Sequence, residues 1–78
     1  MTEAQKVRQL ILEYLATQGT IPTGEHKLKT EVRLSGFDAS QVEAELETLE
    51  MLGYVHRFPS LAGARWIILE RGKEALNA

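Results

Sequence analysis

The sequence predicts an α+β domain, with helices first and a β-hairpin after them. Two observations carry this reading. Apolar residues recur at helical spacing in three segments that end by Leu52. After Gly53 the period shortens from that of a helix to that of a strand. The length, 78 residues, allows one hydrophobic core and no second domain.

The first helix is expected over Glu3–Gln18. Thr2 and Gln5 form a capping box, in which each side chain satisfies the other residue's free backbone N–H. Val7, Leu10, Ile11, Tyr14 and Leu15 then make one apolar stripe. Gly19 accepts the left-handed conformation that ends a helix. Thr20-Ile21-Pro22 is long enough only for an edge strand or a turn, because Pro22 removes a donor. A second helix starts at Thr23 or Gly24. Leu28 and Val32 face inward, Lys27, Lys29 and Arg33 face mostly outward, and Gly36 closes it.

A third helix is expected from the Asp38 N-cap, with Gln41 completing a second capping box. Val42, Leu46, Leu49 and Leu52 form its inner face. Glu43, Glu47 and Glu50 form the opposite face, with Glu45 to the side. Gly53 permits the turn into Tyr54–Phe58, the first strand of the hairpin. Pro59–Ala64 is a loop, and Arg65–Leu69 is a second strand rich in aromatic and β-branched residues. Lys73–Asn77 forms a short terminal helix.

Composition narrows the function classes. There is no cysteine, and His26 and His56 lie outside any ligand-spaced cluster, so neither a disulfide nor a metal site is expected. No apolar run reaches the roughly 20 residues of a membrane span. The expectation is a soluble, cytoplasmic protein with no cofactor. No paired nucleophile and base, and no glycine-rich phosphate loop, points to an enzyme.

Charge is unevenly placed. The net charge is −2, without the basic excess usual in a free-standing nucleic-acid binder. Asp38, Glu43, Glu45, Glu47 and Glu50 occupy the third helix with no cation among them. Arg57, Arg65, Arg71 and Lys73 follow, opposed up to that point only by Glu70.

The element order and two motifs resemble the winged-helix family, particularly small MarR-like and PadR-like bacterial regulators. One motif is Leu46-x-x-Leu49-x-x-x-Gly53-Tyr54-Val55-x-Arg57, similar to the family's exit from recognition helix to wing. The other is Ile68-Leu69-Glu70-Arg71-Gly72-Lys73, similar to its close of the wing, with Leu69 where threonine is usual. The fold implied is a winged helix: a three-helix bundle with a helix-turn-helix plus a C-terminal β-hairpin wing. The function implied is DNA binding and transcription regulation.

The family's DNA readers insert the exposed face of the third helix into the major groove. Here Ser40, Gln41, Glu43, Ala44 and Glu47 occupy that face, and carboxylates repel phosphates. DNA contact is therefore expected through the wing and second helix. Its residues would be Lys27, Lys29, Arg33, His56, Arg57, Arg65 and Lys73, with Ser40 and Gln41 at the start of the third helix. The alternative is a protein-interaction domain. Its contact surface would be the acidic face of Glu43, Glu47 and Glu50, or the apolar wing tip of Phe58 and Leu61. The chain carries no added dimerisation helix of the MarR type, so a monomer or weak homodimer is expected.

Overall fold

Helix α1 spans Glu3–Gln18 in the computed structural model, which describes residues Met1–Ala78. Its capping box is complete. The Gln5 N–H donates to the Thr2 hydroxyl at 3.2 Å, and the Thr2 N–H donates to Gln5 Oε1 at 2.9 Å. Val7, Ile11, Leu12 and Leu15 are buried. Leu10 and Tyr14, expected in the same stripe, are only partly covered. The buried stripe is thus turned toward Leu12.

The segment Thr20–Pro22 is a turn rather than a strand. The short strand β1 follows at Thr23–Gly24. Helix α2 covers Glu25–Leu34 with Gly24 at its N-cap, and it ends at Ser35, one residue before Gly36. Leu28 and Val32 face the core.

The third helix begins later than its capping signal suggests. Asp38 accepts from the Ser40 N–H at 2.9 Å, but this caps a 3-10 turn, Ala39–Gln41. Helix α3 proper runs Val42–Met51. The Gln41 amide does not reach back to Asp38. It donates to Glu3 Oε2 at 2.7 Å and ties the start of α3 to the start of α1. A tertiary hydrogen bond has replaced the local one.

Val42, Leu46 and Leu49 of α3 are buried, as their spacing requires. Leu52 is 43% exposed and does not join them. It follows the last helical residue, and the turn at Gly53 (φ 78°) carries it to a groove rim beside Met1, Leu12, Tyr54 and Ala75.

Strands β2, Val55–Phe58, and β3, Arg65–Ile68, pair antiparallel, and β1 adds to the far side of β3. The register is Val55↔Ile68, His56↔Ile67, Arg57↔Trp66 and Phe58↔Arg65. Directly paired residues share a sheet face, so Val55, Arg57, Trp66 and Ile68 point inward. His56, Phe58, Arg65 and Ile67 point outward. Strand β2 forms an edge, which Pro59 blunts by removing a donor just beyond it.

Helix α4, Glu70–Leu76, starts directly after β3 and packs against α1. The Leu69 N–H donates to the Tyr54 carbonyl at 2.8 Å and locks the base of the hairpin. One apolar core unites the layers, with Ile11, Leu15, Leu28, Leu46, Leu49, Val55, Trp66 and Ile68 among its members. Three helices with a returning hairpin and a three-stranded sheet form an α+β, winged-helix layout.

Candidate functional site

The outward face of α3 meets the inward face of the wing in an open concavity of about 470 Å³. Glu25, Glu43, Glu47, Glu50, Arg57 and Trp66 line it. Four carboxylates against one guanidinium leave a formal charge of −3 (four minus one). The acids arrive by two rules. Glu43, Glu47 and Glu50 recur at three- and four-residue spacing, so one side of α3 presents all of them. Glu25 is the first residue of α2, where a carboxylate suits the positive end of the helix dipole. Its Oε1 accepts from the Trp66 indole N–H at 3.3 Å. Trp66 itself is 3% exposed, a core residue whose polar edge reaches the floor of the concavity.

Ion pairing decides which charges stay available. Lys29 Nζ lies 2.7 Å from Glu43 Oε1 and joins α2 to α3. The hydrogen bond from Lys29 holds the Glu43 carboxyl below its usual range, and the same bond holds the Lys29 ammonium above its own. Asp38 is lowered by the Ser40 backbone N–H it accepts. Arg8 Nε lies 2.6 Å from Glu45 Oε1, with its N–H not aligned on the oxygen, so this contact between α1 and α3 is an ion pair without a hydrogen bond. Glu45 is thereby used in packing. Glu47 and Glu50 make no ion pair.

The residues expected to meet DNA are dispersed. Lys27 pairs with Glu31 at 3.2 Å, Lys29 with Glu43, and Lys73 with Glu70 at 3.8 Å. Lys29, expected to point outward, instead turns toward the acidic row. Arg33 is exposed and makes no ion pair. Ser40 is exposed, while Gln41 is engaged by Glu3. The wing residues divide between the two sheet faces. Arg57 enters the acidic concavity, whereas His56 and Arg65 lie on the outer face.

The outer face and tip of the wing are bare. The Phe58 ring meets His56 edge-on with centroids 4.6 Å apart. Leu61, at the tip, is fully exposed. Between the wing loop at Ala62–Arg65 and the start of α2 lies a second open concavity, lined by Gly24, Glu25, His26, Lys29 and Arg65 among others. It is the more basic of the two, but Lys29 is already held by Glu43.

Glu25 is the residue that sequence reasoning missed. Nothing near it in the chain marks it. Its position depends on the pairing of β1 with β3, which brings the start of α2 beside Trp66. No group of three or more His, Cys, Asp or Glu is arranged to hold a metal ion. No helix is long and apolar enough to cross a membrane. No protein-family model matches the chain, and no match is found among curated proteins or solved structures.

Proposed function

We propose that this domain is a protein-interaction winged helix that receives a basic segment of a partner protein in its acidic concavity. The observation that carries the reading is the convergence of Glu25, Glu43, Glu47 and Glu50 where the α3 face meets the wing. In the MarR-like and PadR-like regulators that the sequence resembles, the corresponding helix faces phosphates. Here a phosphate would meet carboxylates, and phosphate neutralisation dominates DNA affinity. Lys29 already neutralises Glu43 of this row and Lys27 is held by Glu31, so Arg57 alone stands against Glu25, Glu47 and Glu50. An arginine- or lysine-bearing segment would find complementary charge and steered association instead.

A second reading keeps DNA as the partner. Arg65 and His56 lie on the outer wing face, where neither paired strand contributes an acid. That reading is a regulator that grips phosphate with its wing and with Arg33.

Charge reversal at Glu47 separates the two. An arginine-rich peptide should bind the native domain, with NMR shifts on α3 and Arg57, and Glu47→Lys should weaken it by about tenfold. Peptide binding that survives the reversal unchanged removes the concavity as the contact surface.

A further inference from the structure

Strand β2 is an edge of the sheet, and one row of its backbone groups faces no other strand. The Leu69 N–H donates to the Tyr54 carbonyl, so Tyr54 and Leu69 form a hydrogen-bonded pair. Such pairs alternate along an antiparallel ladder. The register therefore turns the backbone groups of His56 and Phe58 toward Ile67 and Arg65, and it leaves the Arg57 N–H and C=O on the free edge. His56, Arg57 and Phe58 are all exposed. Pro59, which lacks an N–H, confines this edge to Val55–Phe58.

The two sheet faces beside that edge differ in chemistry. Arg57 points inward, into the concavity with Glu47 and Glu50, and those carboxylates make no ion pair. His56 and Phe58 point outward, with Ile67 on the same face. A strand added here would send its side chains to the two faces alternately. The residue opposite Arg57 would enter the acidic concavity, and its two neighbours would lie beside His56 and Phe58. Glu25, Glu47 and Glu50 outnumber Arg57, so the concavity attracts a second cation. A second copy of this chain fits poorly, because pairing β2 with β2 would set two acidic concavities side by side on one face.

We infer that the partner's basic segment binds as an added β-strand on the free edge of β2, with arginine or lysine alternating with apolar residues. The Arg57 backbone supplies two hydrogen bonds, the acidic concavity takes the basic side chain, and the Phe58 face takes its apolar neighbours. This rests on the acidic concavity being the contact surface, and it adds the conformation and the sequence pattern of the partner.

The test is NMR amide exchange on the whole domain with the end-capped peptide Val-Arg-Val-Arg-Val. In the free domain the Arg57 amide should exchange faster than those of His56 and Phe58, and the peptide should bring it into their protected range. The same peptide N-methylated at both arginines keeps its charge but loses its edge donors, and it should bind about tenfold more weakly. Phe58→Thr keeps a strand-forming residue and should weaken binding about threefold. Peptide shifts on α3 with Arg57 still exchanging freely, equal binding of the two peptides, or indifference to Phe58→Thr would each overturn the added strand and leave the concavity as the contact surface. Absence of binding by either peptide would overturn both. Arg57 protection that grows with domain concentration, without peptide, would give the edge to a second copy and overturn the inference.

Discussion

Lys29 Nζ lies 2.7 Å from Glu43 Oε1, so the cation of α2 that comes nearest the acidic row of α3 is held by that row. The pair is partly exposed, and its contribution to stability is correspondingly screened. Its larger effect is on availability. Lys29→Gln should let the Glu43 carboxyl rise toward its usual range, seen by carbon-detected NMR titration. It should also tighten binding of an arginine-rich peptide, because one counter-charge leaves the concavity's rim. Unfolding midpoints should change little. Weaker peptide binding in this variant would show that Lys29 supports the contact directly.

The lowered carboxyls of Glu43 and Asp38 give a pH dependence of definite sign. A group whose folded pKa lies below its unfolded value stabilises the fold above the unfolded pKa, and that stabilisation is lost as pH falls through the folded one. Acidification to below the ordinary carboxylate range should therefore loosen the Lys29–Glu43 link and the Asp38 cap together. Amide exchange measured down this range should rise first around Ser40 and the start of α3. Uniform behaviour along the chain would contradict the assignment.

Gly72 closes the wing by close approach. A Cβ there would collide with the Tyr54 carbonyl oxygen and lie 2.8 Å from Ile68 Cγ1. Gly72→Ala gains helix propensity in α4 but must displace backbone. The displacement should dominate, with a net loss of about 1–3 kcal/mol in urea unfolding. A neutral or stabilising result would mean that α4 shifts freely on the hairpin.

Trp66 is the only tryptophan, and its indole N–H faces Glu25 in the concavity. Its fluorescence is thus an internal probe. An arginine-rich peptide that competes for Glu25 should change the emission, and Glu47→Lys should move the midpoint of that change to about tenfold higher peptide concentration. Unfolding should shift the emission to longer wavelength as the buried ring meets water.

Much of the fold was legible because local signals agreed with packing. The Thr2–Gln5 box, the Leu46/Leu49 spacing and Gly53 each act within one or two turns of chain, and each appears where expected. The misreadings arose where a distant partner outcompeted a local one. Gln41 bonds Glu3 instead of Asp38, and Lys29 bonds Glu43 instead of water. Leu52 continues an apolar repeat past the point where the helix has ended. The acidic face of α3 was readable from spacing alone. Its extension to Glu25 and its closure over Arg57 were not, because both depend on sheet register.

Duplex DNA tests the central claim most directly. A mixed-sequence duplex titrated into the labelled domain at about 50 mM salt, then about 200 mM, isolates phosphate-driven binding by its steep salt dependence. We predict no shifts on α3 or Arg57 at either salt, while an arginine-rich peptide shifts both. Salt-sensitive DNA shifts on α3, Arg57 and Arg65 would contradict the account and make this concavity a nucleic-acid interface.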